Sequence, residues 1–309
     1  MTEKGRKNVF GTPLDMAHLL SHSPPVLDEV VPGLVAGTVG MFAGPGGIGK
    51  TMFELQLAIS LAVGLTRSDG LLGDDWGRDL RQDPCRVVLI AAEEPIEVIW
   101  GRVHHIVHSL DQRNMLPDGM GWPDFQRLLA TNLHIHALAG DQRVQLIDEG
   151  LHLTSHMRDL LETSEGARLI VIDPLRQFHV EDENNSGAMS AIVSAFKRLA
   201  RQTGGAVLFA HHTSRAAGQY GFGDSADAAR GSTALTNDVR WQLNIAPPTK
   251  DQLKRYGISD DAADRHVLLH SAKGNYQAKR APVLLRRAAG GVLVPAGLTM
   301  GSKSGRATR

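Results

Sequence analysis

The stretch Gly44-Pro-Gly-Gly-Ile-Gly-Lys-Thr51 fits the pattern G-x-x-x-x-G-K-[ST] in full, and the residues on either side of it decide the fold. Before it, Thr38-Val-Gly-Met-Phe-Ala43 is an apolar run that reads as a buried strand. After it, the segment from Met52 to Val63 is helix-forming and apolar nearly all round. The positive N-terminal end of such a helix faces whatever the glycines surround. Gly44, Gly46, Gly47 and Gly49 clear side chains from the loop, so that consecutive backbone N–H groups turn inward around a β-phosphate. The run from Gly44 through Pro45, Ile48 and on to Met52 is the expected nucleotide-binding segment. Within it Lys50 places a compact charge between β- and γ-phosphates, and the Thr51 hydroxyl completes the coordination of Mg²⁺. A nucleoside triphosphate is the implied ligand.

From Val31 onward, apolar strand-like runs alternate with helical patterns. This is the βαβ signature of an α/β fold with a mostly parallel twisted sheet and helices on both faces. Strands are expected at 38–43, 86–92, 168–173 and 205–211. Shorter ones follow at 240–246, 266–272, 282–287 and 291–295, where the Ala-Gly-Gly turn at 289–291 predicts a hairpin. These are antiparallel strands added to one edge near the C-terminus. Between the second and third strands, Ile96, Ile99, Trp100, Val103, Ile106, Val107 and Leu110 share one helical face. The other face carries His104, His105 and His108, for which no third metal ligand is evident and solvation is a sufficient account.

At 309 residues and 42% hydrophobic content the chain can bury one large core. Residues 1–30 read as an arm, 31–297 as the core and 298–309 as a flexible basic tail. The formal charge is zero, so no global basic field holds nucleic acid, and any such contact is local, in a loop or pore. One cysteine, Cys85, excludes an intramolecular disulfide and a multi-cysteine zinc site. The longest apolar helix falls short of the ~20 residues that span a bilayer. The expectation is a soluble, cytoplasmic protein without membrane contact.

Arg168-Leu-Ile-Val-Ile-Asp173 is a buried strand ending in a carboxylate that suits Mg²⁺, directly or through water. Pro174 follows and no Glu does, so the group that orients an attacking water comes from elsewhere. The strand from Cys85 ends in the pair Glu93-Glu94 just before Pro95. Beside the strands of the loop and Asp173, a Glu there points at the γ-phosphate, and Glu93 is chosen over Glu94. Helix capping is the plainer role for either. A further strand ends in His211-His212 at the same sheet edge, where ligands of open α/β folds collect. Either histidine suits a sensor of the γ-phosphate. The loop from Ser214 to Ser225, with Arg215 and Tyr220, is long for a connection.

Together these motifs resemble the RecA-like ATPases of the hexameric replicative helicase group, and more closely the RepA-type helicases of broad-host-range plasmids. The passages that carry the resemblance begin with Val35-Ala-Gly-Thr-Val-Gly40, the glycine loop and Ala92-Glu-Glu-Pro95. They continue with Ile172-Asp-Pro-Leu-Arg-Gln-Phe-His-Val180, Glu183-Asn, Ser186-Gly187 and His211-His212, and close with Arg230-Gly-Ser232, Val239-Arg-Trp-Gln242 and Lys273-Gly-Asn-Tyr276. The resemblance covers nearly the whole chain. It implies a RecA-like P-loop NTPase core that uses ATP and Mg²⁺. It also implies that Glu93 is the catalytic base, that His212 rather than His211 senses phosphate, and that Arg240 is an arginine finger entering the neighbouring subunit's site. Lys273 is a second candidate at that interface, and Arg230 a weaker one on the γ-phosphate side. A homo-oligomer, a hexameric ring, threading single-stranded DNA is implied, with a primase or initiator protein as the partner class. DNA contacts are expected in the loop after His212, at Arg215 above all, and from Arg176 to Ser186, although Glu181, Asp182 and Glu183 repel phosphate there.

The same motifs allow a RecA-like regulatory or loading ATPase without unwinding activity. A GTPase is disfavoured because no Asn-Lys-x-Asp motif occurs. A metabolite kinase is disfavoured because no substrate lid is evident.

Overall fold

The structure is a computed structural model that describes residues 11–65, 83–116, 119–140, 144–213, 226, 233–278 and 280–296. It opens on a short helix, α1 (Met16–Ser21), capped by the Asp15 carboxylate and burying none of its residues. A small antiparallel ladder, β1 (Glu29–Val31) and β2 (Leu34–Val35), ties this arm to the body. Val30, Val31 and Leu34 are buried, and Arg168 forms a two-pronged ion pair with Asp28. The core then runs through β3 (Val39–Gly44), α2 (Lys50–Val63), β4 (Val87–Ala91), α3 (Ile96–Gln112), α4 (Trp122–Asn132) and β5 (Leu133–Ala137). It continues with α5 (Ser155–Thr163), β6 (Leu169–Asp173), a 3-10 turn at Leu175–Phe178, α6 (Ser186–Thr203) and β7 (Ala206–His212). The last elements are α7 (Thr233–Asp238), β8 (Trp241–Ala246), α8 (Lys250–Tyr256), β9 (His266–Gly274), β10 (Val283–Arg287) and β11 (Leu293–Pro295).

Among the described residues the main sheet has the order β11-β10-β9-β8-β3-β7-β6-β4-β5. The strands from β8 to β5 in that order run parallel, and β9, β10 and β11 are added antiparallel. Continuous apolar runs suit the central strands because both faces are covered. Phe42 of β3 faces a layer with Phe53, Leu55 and Ile59 of α2 and Ile99 of α3. Met41 and Ala43, on the opposite face, join Met189, Ile192 and Phe196 of α6. Helix α6 starts where the Asn185 side chain accepts from the N–H groups of Gly187 and Ala188, and it stops at Gly204 with φ 73°.

The expected strands lie within two residues of the observed ones, and the turn at 289–291 joins β10 to β11 as an antiparallel hairpin. The reading of α3 needs correction. Its buried residues are Ile99, Ile106 and Leu110, whereas Ile96 is 65% and Trp100 73% exposed. The helix leans on α2 and the 289–291 turn, which cover a narrow stripe and leave the flank carrying Trp100 in solvent. The sequence reading also gave no place to β5 or to the β1–β2 ladder.

The chain distributes its polar groups between two edges of the sheet. Gly44, Ala91, Asp173 and His212 close β3, β4, β6 and β7 at one edge. Arg240 precedes β8, whose Trp241 pairs with Gly40, and Lys273 of β9 pairs with Gln242. Both therefore stand at the opposite edge.

Candidate nucleotide-binding site

The loop between β3 and α2 is shaped by backbone requirements. Gly47 (φ 73°) and Gly49 (φ 105°) adopt left-handed conformations that side chains rarely tolerate, and Gly49 is the N-cap of α2. Lys50 is buried, and its ammonium donates to the carbonyls of Gly44 at 2.9 Å and Pro45 at 3.1 Å. Burial is the main force lowering its pKa, against the opposing charges of Glu54, Asp173 and Glu93. A third contact of that ammonium, 3.2 Å to Nδ1 of His212, makes Nδ1 the acceptor and places the proton of the neutral ring on Nε2. Burial first and Lys50 second hold the His212 pKa below its ordinary value, which fits that neutral form.

The Thr51 hydroxyl donates to Oδ2 of Asp173 at 2.7 Å, joining the start of α2 to the end of β6. Asp173 is raised by burial, with the hydrogen bond from Thr51 and the charge of Lys50 opposing. Beneath it lies Glu54, fully buried on α2, whose carboxyl is pushed well above the usual range by burial and then by the Asp173 charge. Among the described residues neither Glu54 oxygen has a hydrogen-bond partner, and burial beside the Asp173 charge favours its protonated form. Thr51 and Asp173 offer hard oxygen donors side by side, a set that fits Mg²⁺. Among the described residues no three His, Cys, Asp or Glu side chains are arranged to hold a metal alone. Phosphate oxygens and water are needed to complete the shell.

The two glutamates after β4 have different surroundings. Glu94 is neutralised by Arg102 of α3 at 2.5 Å. Glu93 stays half-exposed at the cavity, accepting from Nε2 of Gln177 at 3.2 Å, with Oε2 4.0 Å from Nε2 of His212. His211 points away into the core, buried, with Nδ1 4.0 Å from the Glu183 carboxylate that also approaches His179.

A cavity of about 270 Å³ gathers Gly47, Gly49, Lys50, Thr51, Met52, Glu93, Asp173 and His212, with Arg102 and Arg287 at its walls. Most of these groups are named by the sequence reading, which misses Glu54, Arg102, Gln177 and Arg287. Arg102 has a signal in the sequence, since it lies eight residues after Glu94, two turns along the helix that Pro95 opens. Arg240 and Lys273 are not part of this cavity. Arg240 is exposed and level with Val39, about 16 Å along the strand direction from Gly44 at ~3.3 Å per residue. Lys273 donates to the carbonyls of Thr236 at 2.6 Å and Asn237 at 3.3 Å. Arg176 donates to the Glu181 carbonyl at 3.1 Å. Arg215, Tyr220, Arg230 and the 298–309 tail lie outside the described residues.

The AAA domain family matches residues 8–218, a span that takes in the loop, Glu93, Asp173 and both histidines. The chain belongs to that family. Beyond the matched span of this AAA domain lie Arg240, Lys273 and Arg287. Among solved structures, the ATPase domain of G40P is similar at 18% identity, with a TM-score of 0.51 and 84% of each chain covered. A DnaB-like replicative helicase, solved for its interactions with primase, is similar at 16% identity and TM-score 0.50. That match covers 84% of this AAA domain chain and 57% of the helicase, so the chain spans little more than half of that relative. At these identities the likeness establishes the fold: a mostly parallel sheet with antiparallel strands toward the C-terminus, as in helicase ATPase domains.

Proposed function

We propose that this AAA domain protein is an ATP-hydrolysing DNA motor of the ring-forming plasmid replicative kind, moving on single-stranded DNA. The observation that supports it is the division of the hydrolytic groups between two sheet edges. Lys50, Thr51, Asp173, Glu93 and His212 meet in one cavity, while Arg240 stands exposed at the far edge, outside that cavity.

In this reading the loop N–H groups and Lys50 hold the β- and γ-phosphates of ATP. Thr51 and Asp173 would hold Mg²⁺, which when bound would supply charge neutralisation for the phosphates. Glu93, half-exposed at the cavity while Arg102 takes up Glu94, accepts a proton from the attacking water as its oxygen bonds to the γ-phosphorus. The bond from the γ-phosphorus to the bridging oxygen breaks, and ADP and phosphate result. His212 is within reach of both Lys50 and Glu93 and so reports the γ-phosphate to the segment after β7. Arg240 of the adjacent copy stabilises the charge that develops in the transition state, which makes turnover depend on assembly. Contact with a primase or initiator belongs to the same proposal.

The test is steady-state ATP hydrolysis and displacement of a strand from a forked duplex, measured over a range of protein concentration with and without single-stranded DNA. Hydrolysis that rises with assembly and with DNA, together with displacement, is expected. Hydrolysis indifferent to both would favour a gating ATPase.

A further inference from the structure

The cavity has a wall that the phosphate chemistry leaves unused. Arg287, the last residue of β10, lines it with Gly290 and Gly291 of the hairpin turn, next to Gly49 and Met52. In sheet order, the groups around the γ-phosphate end follow β4, β6 and β7 on one side of β3, whereas β10 lies on the other side. A triphosphate with its γ end among Glu93, Asp173 and His212 therefore leads its ribose and base toward the hairpin.

That wall is held firmly. Nη2 of Arg287 donates to the Ile48 carbonyl at 2.5 Å, and Nη1 comes within 3.0 Å of where a Cβ on Gly49 would stand. The turn beneath is wedged against α3, since a Cβ on Gly290 would collide with the His105 ring. Behind it, Gln56 of α2 grips the backbone of Leu293 through two hydrogen bonds of 2.8 Å. The result is a planar cation, fixed at one nitrogen, beside two residues without side chains. A nucleobase presents the matching flat, electron-rich face.

The geometry points to Arg287 as the base-stacking residue of the nucleotide site, supplied within the same chain by the C-terminal hairpin. Its guanidinium covers the base of the nucleoside triphosphate, and its bond to Ile48 holds the plane of the cation in place. This rests on the proposed nucleotide function and adds the side from which the nucleoside is held.

Calorimetric titration of ADP and of inorganic tripolyphosphate into the full chain tests it, using wild type, Arg287→Ala, Arg287→Lys and Lys50→Ala. Arg287→Ala is expected to weaken ADP about tenfold, the order of a partly desolvated cation–π contact, and to leave tripolyphosphate within about twofold. Arg287→Lys keeps a donor for Ile48 and loses the plane, so it shows the same selective loss even if the alanine variant fails to fold. Unchanged ADP affinity in the lysine variant overturns the proposal. Equal weakening of ADP and tripolyphosphate overturns it as well and leaves Arg287 as a support of the loop. A Lys50→Ala protein that binds ADP as tightly as wild type instead overturns the nucleotide reading, and this proposal with it.

Discussion

Nδ1 of His212 accepts a hydrogen bond from the ammonium of Lys50 at 3.2 Å, so the residue that ends β7 and the residue that starts α2 share one proton arrangement. Protonating the ring destroys that bond and sets two cations side by side. Burial, then Lys50, keeps the folded pKa of His212 below its ordinary 6.5. The unfolded chain therefore takes up this proton at a higher pH than the folded one. The stabilisation from neutral His212 is fully present above about pH 6.5 and is lost as pH falls from there toward the folded value. Thermal unfolding followed over that window is expected to lose Tm more steeply in wild type than in His212→Gln; parallel profiles would show that His212 is not the group responsible.

Glu93 and Glu94 are separated by their partners, and their variants are expected to differ accordingly. Glu93→Gln should lower kcat by about 10²–10⁴, the usual worth of a positioned general base, with ATP affinity little changed. Glu94→Gln loses the ion pair with Arg102 and should cost only a few-fold, about 1 kcal/mol, as expected of a partly exposed pair. Single-turnover kinetics on both variants decide the matter, and a larger loss in Glu94→Gln would reverse the assignment.

Arg240 stands apart from its own chain's cavity, and under the proposed function a defect there is expected in a neighbour's site. Arg240→Ala is expected to lose about 10³-fold or more in kcat while nucleotide binding is retained. Mixing Arg240→Ala with Glu93→Gln protein should restore part of the turnover, because some junctions then unite an intact Glu93 with an intact Arg240. Mixtures as inactive as either parent at every ratio would rule out action between copies.

Gln56 gives a stability prediction that does not depend on the nucleotide. Gln56→Leu preserves apolar volume but leaves the N–H and C=O of Leu293 without their partner, at a cost of about 2–4 kcal/mol in urea unfolding. Hydrogen exchange at the Leu293 amide should rise more than at β3. A loss below about 0.5 kcal/mol would mean that the hairpin relaxes without cost.

The central strands are legible because each is apolar on both faces and bounded by turn residues, and the glycine loop because its spacing has few other uses. Strand β5, Leu133-His-Ile-His-Ala137, is not, since an edge strand half-covered by neighbours carries no apolar run to mark it. Trp100 misleads the reading of α3 because helical spacing says which residues share a face, not how wide a face the neighbours cover. The preference for Glu93 over Glu94 agrees with the engagement of Glu94 by Arg102, while its catalytic role is a matter for kinetics. Arg287 has no local signal, being 239 positions from the carbonyl it binds and brought there by the antiparallel ladder of β9, β10 and β11. Glu54 is hidden in a helix that reads as apolar nearly all round. A buried acid stands out only once its surroundings are known.

The grip of Gln56 on Leu293 also bears on how copies of this chain avoid sticking to one another. An outer strand with free backbone groups is a template on which a foreign strand can register. At β11 the amide of one helix residue already fills the position such a strand would take, donating to one backbone group and accepting from the other. That flank of the sheet is shielded from runaway strand addition, and any association of copies there is left to side chains.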